Sequence, residues 1–177
     1  HLEVFKSRDV EVLLLTDRLD EWVMQFLDQY RGKPFKDVAR GSIELSKLGA
    51  EATVHAEPSK DEKHFLKRLK RVLRERVQEV RFSERLTESA ACLVIGDDDL
   101  GHRMRELLKA AGHDAPPETA PSLELNAQHP LVKRLQSEQD DARFEQLSLL
   151  VFDQATLAEG RALEDPAAFV KRLNQLL

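Results

Sequence analysis

A chain of 177 residues with 41% hydrophobic and 33% charged residues can form one domain or two small ones, and it is long enough to fold without disulfides. Its formal net charge of -5 argues against a dedicated nucleic-acid binder, and its single cysteine, Cys92, excludes an intramolecular disulfide framework and fits a reducing compartment. No apolar run approaches the roughly 18 residues that a membrane span needs, and no signal-peptide pattern is present. Because the chain begins at His1 and not at Met, we expect it to be a fragment of a longer protein.

The first part of the chain predicts a short helix, a buried strand and an amphipathic helix. Residues 1–8 favour a short helix, and the apolar run at residues 10–15 is typical of a buried strand that leads into a helix. Asp17 is a suitable N-cap for a helix over residues 17–30, which a Gly-Lys-Pro turn ends. Trp22, the only tryptophan, lies at the edge of the apolar face of this helix. That face is formed by Leu19, Val23, Phe26, Leu27 and Tyr30.

The middle of the chain predicts one long helix and two short strands. Residues 42–58 are typical of a linker or a weak helix. Ser59, followed three residues later by Glu62, forms a capping box that opens a long helix. Strands are predicted over residues 80–83 and 92–95. The apolar face of the long helix is formed by Leu66, Leu69, Leu73 and Val77.

The last part of the chain predicts several helices around one strand. Acidic residues at 97–99 precede a helix over residues 100–111, and residues 122–126 alternate as a short strand does. Two helices are predicted over residues 131–139 and 140–159. A last helix follows, with an aspartate as its cap and a proline in its first turn. The whole pattern predicts a mixed α+β fold.

The sequence offers little that is typical of an enzyme. The strand before Asp17 could supply the magnesium-binding aspartate of a nucleotide site, but that site needs Gly-Lys-Ser/Thr, and the Gly-Lys here precedes Pro34. The adjacent aspartates at residues 97–99 indicate a solvated helix start, because calcium loops space their carboxylates. The histidines lack metal-binding spacing, His129 is expected to make a structural hydrogen bond at a helix entry, and Cys92 is expected to be buried and inert. We therefore expect no catalytic residue, no cofactor site and no metal site.

A basic stretch gives the best argument for a nucleic-acid partner. Residues 60–85 contain ten basic and five acidic residues. Aromatic interleaving is absent, and the same helix has a full apolar face. Since charge runs are usually solvated faces, a solvated face is the favoured interpretation and nucleic-acid binding the alternative.

Four separated blocks of sequence, in the same order, resemble the bacterial members of the heat-shock-ninety chaperone family. The first, in residues 10–35, holds the strand, an Asp-Arg-Leu-Asp-Glu-Trp helix start and a Gly-Lys-Pro-Phe turn. The second, in residues 75–87, ends in Arg-Leu-Thr. The third, in residues 124–133, contains Glu-Leu-Asn and His-Pro-Leu-Val-Lys, and the fourth, in residues 157–174, contains Leu-Ala-Glu-Gly and Leu-Glu-Asp-Pro.

This resemblance implies two parts. Residues 1–57 would be the C-terminal subdomain of the middle domain, a small αβ unit, and residues 58–177 the C-terminal dimerisation domain. The second part would be helix-rich with a short β-sheet, and its C-terminal helices would form an intermolecular four-helix bundle. From composition alone, a closed monomeric core explains these apolar helices equally well. The residues expected at the dimer interface are Phe144, Leu147, Val151, Ala155, Ala158, Phe169, Leu173 and Leu176.

The resemblance also implies contact with client proteins. In the family, the helix corresponding to residues 100–111 is a mobile amphipathic element that touches non-native chains, as does the aromatic residue at the position of Trp22. For an arbitrary protein, the apolar stripe of this helix would be part of the core. The residues expected to bind clients are Trp22, Leu100, Met104, Leu107 and Leu108.

The implied function is that of the C-terminal part of an ATP-driven chaperone in the cytoplasm. It would form a homodimer, bind unfolded or partly folded clients, and assist protein folding under stress. ATP and Mg²⁺ would bind the full-length protein upstream, so we expect no cofactor and no ATPase activity in this chain, and neither a nucleic acid nor a membrane as partner. The alternatives are a dimeric scaffold or regulatory module without chaperone activity, and a nucleic-acid-binding module that uses residues 60–85.

Overall fold

The computed structural model describes residues 1–17, 19–41, 57–96, 102–114 and 119–176. Its helices are α1 (Glu3–Ser7), α2 (Asp20–Phe26), α3 (Lys60–Leu73), α4 (His102–Ala110), α5 (Pro130–Ser137), α6 (Asp141–Ala158) and α7 (Pro166–Leu176). Its strands are β1 (Gln29–Tyr30), β2 (Lys33–Pro34), β3 (Val80–Phe82), β4 (Ala91–Val94) and β5 (Ser122–Leu125). The fold is mixed α+β, as predicted. The linker predicted at residues 42–58 and the acidic residues 97–99 lie, apart from residues 57 and 58, outside the described residues.

The C-terminal part of the chain is built on a three-stranded sheet. β5 is the central strand, parallel to β3 and antiparallel to β4. Because successive side chains of a strand point to opposite faces, Leu123 and Leu125 enter the main core while Glu124 points to the other face. The sheet therefore has an apolar face toward the helices and a polar centre on its opposite face.

Helices α3 and α6 cover the apolar face of the sheet. Phe65 of α3 stacks on Phe82 of β3, with ring centroids 6.4 Å apart, and meets Phe144 of α6 edge-on at 6.2 Å. The Arg68 guanidinium lies 3.8 Å above the ring of Phe144. Full burial of a Leu or Phe stabilises a fold by roughly 1.5–3 kcal/mol, so each buried side chain of this layer contributes substantially to stability. Its fully buried members include Leu69, Leu73, Val77, Val132, Leu135, Leu147 and Val151.

Local signals mark the helix ends where the sequence predicts them. The capping box of Ser59 and Glu62 opens α3, with Glu62 N donating to Ser59 Oγ at 3.2 Å and Ser59 N donating to the Glu62 carboxylate at 2.8 Å. His129 Nδ1 accepts a hydrogen bond from the backbone N–H of residue 131 at the start of α5, which confirms its structural role. Asp140 and Asp165 cap α6 and α7 by accepting backbone hydrogen bonds at 2.8 and 2.9 Å.

Residues 10–15 are irregular, which corrects the strand prediction. A strand is stable when a neighbour takes up its backbone hydrogen bonds and its apolar side chains are buried. Within the described residues no strand pairs with this segment, and Leu13, Leu14 and Leu15 are exposed. An apolar run alone does not supply the partner that a strand requires.

Helix α2 is shorter than predicted. It begins at Asp20, and Asp17 closes a turn before it by accepting a hydrogen bond from Leu19 N at 2.9 Å, so Asp17 is not the N-cap. The antiparallel β1–β2 hairpin takes the place of the predicted last turn. The predicted apolar face of this helix is exposed: Leu19, Val23, Phe26, Leu27 and Tyr30.

Candidate functional site

The inner face of α6 packs within the protomer. Four of the residues expected at a dimer interface, Phe144, Leu147, Val151 and Ala155, are at most 1% exposed. They belong to the core that α6 forms with α3 and the sheet. In the protomer these side chains hold α6 on its own domain.

The end of α6 and the last helix, α7, present apolar side chains that the protomer leaves exposed or only partly buried. No described residue of α7 is buried, although the helix carries several large apolar side chains. Val170 is 52% exposed and Leu157, near the end of α6, is 46% exposed. We name this set the C-terminal apolar surface. Its members are Leu157, Ala158, Phe169, Val170, Leu173 and Leu176.

A buried ion pair fixes α7 against α6. Arg172 Nη2 donates to Asp153 Oδ2, and both side chains are largely buried. The pair lines a cavity of about 420 Å³, which also contacts Arg76 and Glu164. Those two side chains pair with each other at 3.3 Å. Since these charged groups neutralise one another, they do not indicate a site for a charged small molecule.

A second apolar surface lies in residues 1–41. Trp22 is 41% exposed and Phe26 is 86% exposed. Both belong to α2, and the irregular residues before this helix add further leucines. Exposed apolar patches of this kind mark sites of contact with other proteins. We name it the N-terminal apolar surface, formed by Leu13, Leu14, Leu15, Leu19, Trp22, Val23, Phe26 and Leu27.

Helix α4 contains the other residues predicted to bind clients. Met104 is 3% exposed and Leu108 is partly buried. Leu100 and the side chain of Leu107 lie outside what the structure describes. Gly112, with φ 76°, follows the helix at the end that the sequence predicts. In this conformation Met104 faces inward and is not available to a partner.

Several cations of the basic stretch are engaged within the protein. Arg68 Nη1 donates to the carbonyl of Glu138 at 2.8 Å, and its Nη2 donates to Asp141 Oδ1 at 2.5 Å. Lys70 Nζ donates to the carbonyl of Arg74 at 2.5 Å and to that of Val77 at 2.6 Å. These two cations stabilise the ends of helices, which gives them a structural role. The solvated face and its nucleic-acid alternative both stay predictions.

A buried ionic cluster that sequence reasoning missed lies on the polar face of the sheet. Glu124 and Arg85 are 3% and 2% exposed and form a hydrogen-bonded ion pair with Nε–Oε2 2.9 Å. The alternation of β5 suggests a solvent-facing glutamate. Glu124 is buried because Arg85, and through it Val38 and Gly41, pack over that face of the sheet. The available signal was the polar residue at the centre of an otherwise apolar strand.

Other classes of site lack support in the described residues. Across the described part of the chain, no group of three or more His, Cys, Asp or Glu side chains is placed to hold a metal ion. Among the helices of the same residues, none is long and apolar enough to cross a membrane. Burial raises the pKa of the Cys92 thiol to about 12, with a further contribution from nearby Glu124, so the thiol is protonated and unreactive at neutral pH.

Comparisons with known proteins bear on the whole chain. Residues 1–177 match the family of the Hsp90 protein. The chain is 52% identical over 179 residues to a protein named chaperone protein HtpG from Alkalilimnicola ehrlichii. That similarity covers 100% of this chain but 27% of the relative, so the chain spans about a quarter of the length of the curated protein that it matches. With a family match along its full length and more than half of its residues identical to those of a member, the chain belongs to the Hsp90 family.

Proposed function

We propose that this chain is the C-terminal part of an ATP-driven molecular chaperone, in which it joins two protomers and contacts unfolded client proteins. Membership of the Hsp90 family supports the chaperone role. The observation that carries the dimer is α7, a helix rich in apolar side chains of which none is buried in the protomer. Such a helix is stabilised when a second copy covers it.

The dimer contact we propose uses the C-terminal apolar surface. Phe144, Leu147 and Val151 already fill the protomer core. They would contribute to the interface indirectly, by holding α6 in place on the protomer. Direct contact would come from Leu157, Val170 and the partly buried residues of α7. The arrangement of α6 and α7 with their copies in a four-helix bundle remains a prediction.

The N-terminal apolar surface is the proposed contact for clients. Unfolded chains expose apolar side chains, and Trp22, Val23 and Phe26 are exposed apolar side chains that could contact them. Such a contact does not require the client to have one particular shape. Helix α4 would join this contact only if Met104 left its buried position. The ATP and Mg²⁺ sites would lie in the rest of the full-length protein, so this chain alone should be inactive as an ATPase, and we place the protein in the cytoplasm.

Sedimentation equilibrium across protein concentration tests the dimer. Val170→Glu places a charge on a side chain that is 52% exposed, so it should leave the protomer folded and convert a concentration-dependent dimer to a monomer. Gln175→Glu, an exposed position on the same helix, adds the same charge and should behave as the wild type. A wild-type chain that stays monomeric at every concentration would remove the main support for the proposal.

Fluorescence of Trp22, the only tryptophan, tests the client contact. Titration with a tryptophan-free protein held unfolded by reduction should shift the emission to shorter wavelength, because an exposed indole becomes buried. The native form of the same protein serves as the control. A dimer whose emission does not respond to either form would favour the alternative of a scaffold without chaperone activity.

A further inference from the structure

A carboxylate is buried at the centre of the sheet. Glu124 lies in the middle of the central strand β5 and is 3% exposed. Its neighbours Leu123 and Leu125 enter the apolar core, so Glu124 points to the opposite face. A buried carboxylate is strongly destabilising unless cations and hydrogen-bond donors surround it. The chain must supply such groups on this face.

Three side chains surround the Glu124 carboxylate. Arg85 makes a bidentate contact, in which Nε donates to Oε2 at 2.9 Å and Nη2 donates to Oε1 at 3.2 Å. Arg81 donates to Oε1 from Nε at 3.1 Å and from Nη2 at 2.8 Å, and Ser83 Oγ donates to Oε2 at 2.8 Å. The two arginines differ in their surroundings, since the side chain of Arg85 is 3% exposed and that of Arg81 is 33% exposed.

Arg85 also binds a segment that is distant in the sequence. Its Nη1 donates to the carbonyl of Val38 at 2.7 Å, and its Nη2 donates to the carbonyl of Gly41 at 2.6 Å. The backbone carbonyl of Arg85 accepts a hydrogen bond from Val4 N at 3.2 Å. One buried residue thus joins the sheet to two separate parts of residues 1–41, which we call the N-terminal stretch.

Glu3 of α1 forms a second attachment. Its carboxylate accepts hydrogen bonds from the backbone N–H groups of Thr87, Glu88 and Ser89 at 2.7–3.1 Å, and Ser89 Oγ donates to it as well. Partial burial acts to raise the pKa of Glu3, but the hydrogen bonds from Ser89 and from these backbone groups together outweigh it and lower the pKa to about 2. The charged carboxylate therefore binds the loop that follows β3.

Apolar attachment of the N-terminal stretch is slight by comparison. Among its described residues, Val4 and Phe5 are the only buried apolar ones, and they pack with partly buried valines of the same stretch. The main core is formed entirely by residues from Phe65 onward. Directional polar contacts, more than apolar burial, therefore set the position of the N-terminal stretch.

We propose that Arg85, aided by Glu3, is a positioning residue that fastens the N-terminal stretch to the sheet of the C-terminal part. The Glu124 carboxylate holds the guanidinium in one plane, and that plane aims the remaining N–H groups at the carbonyls of Val38 and Gly41. The joint is orientation-specific and can open without disturbing the main core. Any consequence for the N-terminal apolar surface rests on the proposed function, whereas the joint itself does not.

Backbone hydrogen exchange on this chain tests the joint, with Arg85→Lys as the variant and Arg81→Gln as the matched control. A lysine ammonium cannot donate hydrogen bonds to a carboxylate and to two carbonyls that lie in one plane. The amides of Val4 and Gly41 donate to the backbone carbonyls of Arg85 and Ile95, which the substitution keeps, so their exchange reports opening of the whole joint. We expect this exchange to be on the order of tenfold faster, because the hydrogen bonds from the guanidinium that hold the joint closed are lost, and we expect no change at Leu123 in β5. Arg81→Gln loses contacts to the same carboxylate but none to the N-terminal stretch, so it should leave Val4 and Gly41 as in the wild type.

Unchanged exchange at Val4 and Gly41 in a folded Arg85→Lys chain would overturn the proposal, as would equal release by Arg81→Gln. If Arg85→Lys does not fold, Glu3→Gln at the protein surface decides: faster exchange at Val4 and at Ser89 supports the joint, and no change there refutes it. The readout requires neither a client nor a second protomer. Its failure is therefore distinct from a failure of the proposed function.

Discussion

Substitution of Leu147 by Ala separates the two roles that α6 can have. Leu147 is 1% exposed and lies among the core residues contributed by α3, α6 and the sheet. Truncating a fully buried leucine to alanine removes apolar contacts and leaves a cavity, which costs about 2–5 kcal/mol. We therefore expect Leu147→Ala to lower the free energy of unfolding by about 3 kcal/mol, a large part of the roughly 5–15 kcal/mol of a typical domain.

The size of this effect is easy to measure. For a chain of this length, a loss of about 3 kcal/mol lowers Tm by about 6–12 °C. Urea unfolding followed by circular dichroism, at a protein concentration low enough to keep the chain monomeric, gives the free energy directly. The matched variant is Val170→Ala, which removes an apolar side chain that is 52% exposed. It should change monomer stability by less than about 0.5 kcal/mol but weaken self-association.

The opposite pattern would refute the packing described for α6. If Leu147→Ala left the unfolding free energy of the monomer unchanged and only raised the dissociation constant of the dimer, Leu147 would lie between protomers. A loss of stability at every protein concentration, with a dimer constant close to that of the wild type, would place it within the protomer core.

Three further predictions follow from local contacts. The Glu3 carboxylate has an ordinary pKa of 4.5 that is lowered to about 2 in the fold, so its contribution is present above about pH 4.5 and is lost as the pH falls toward 2. The protection of the Ser89 amide, which is its exchange rate relative to the intrinsic rate at each pH, should fall over that window, and Glu3→Gln should remove the dependence. Cys92, with its raised pKa of about 12 and its buried position, should resist alkylation at neutral pH until urea unfolds the chain, and rapid labelling of the native protein would contradict this. Ser59→Ala should cost about 1 kcal/mol in urea unfolding, because the capping box of α3 is lost; an unchanged midpoint would mean that the cap does not contribute.

The elements that the sequence predicts well are those with local signals. The capping box at Ser59, the histidine before Pro130 and the aspartates before α6 and α7 each determine a helix start through contacts within a few residues. The apolar periodicity of α3 likewise places Leu69 and Leu73 in the core. Such signals require no knowledge of the rest of the fold.

The features that the sequence alone does not reveal depend on distant partners. The run at residues 10–15 has strand composition, but composition does not say whether a neighbouring strand is present. Glu124 has the alternation of a solvent-facing residue, and it is buried because residues 38–41, more than 80 positions earlier, lie on that face through Arg85. For the predicted interface, periodicity identifies the apolar faces of α6 and α7 without showing that the protomer itself buries Leu147.

The main core and the N-terminal stretch are held by different kinds of interaction. This difference determines which of the two a displacement within the molecule would disrupt first. The main core runs from Phe65 to the end of α6 and is dominated by apolar burial, which is non-directional and strong when summed. The N-terminal stretch is attached by polar contacts of Arg85 and Glu3, by the His1–Glu159 pair and by a backbone bridge to Ile95, all of which are directional and are lost over a short displacement. A rotation of the N-terminal stretch relative to the sheet would therefore break the polar joint before it disturbed the main core. Among these contacts, only Arg85 combines the buried Glu124 carboxylate of the sheet with two carbonyls of the N-terminal stretch.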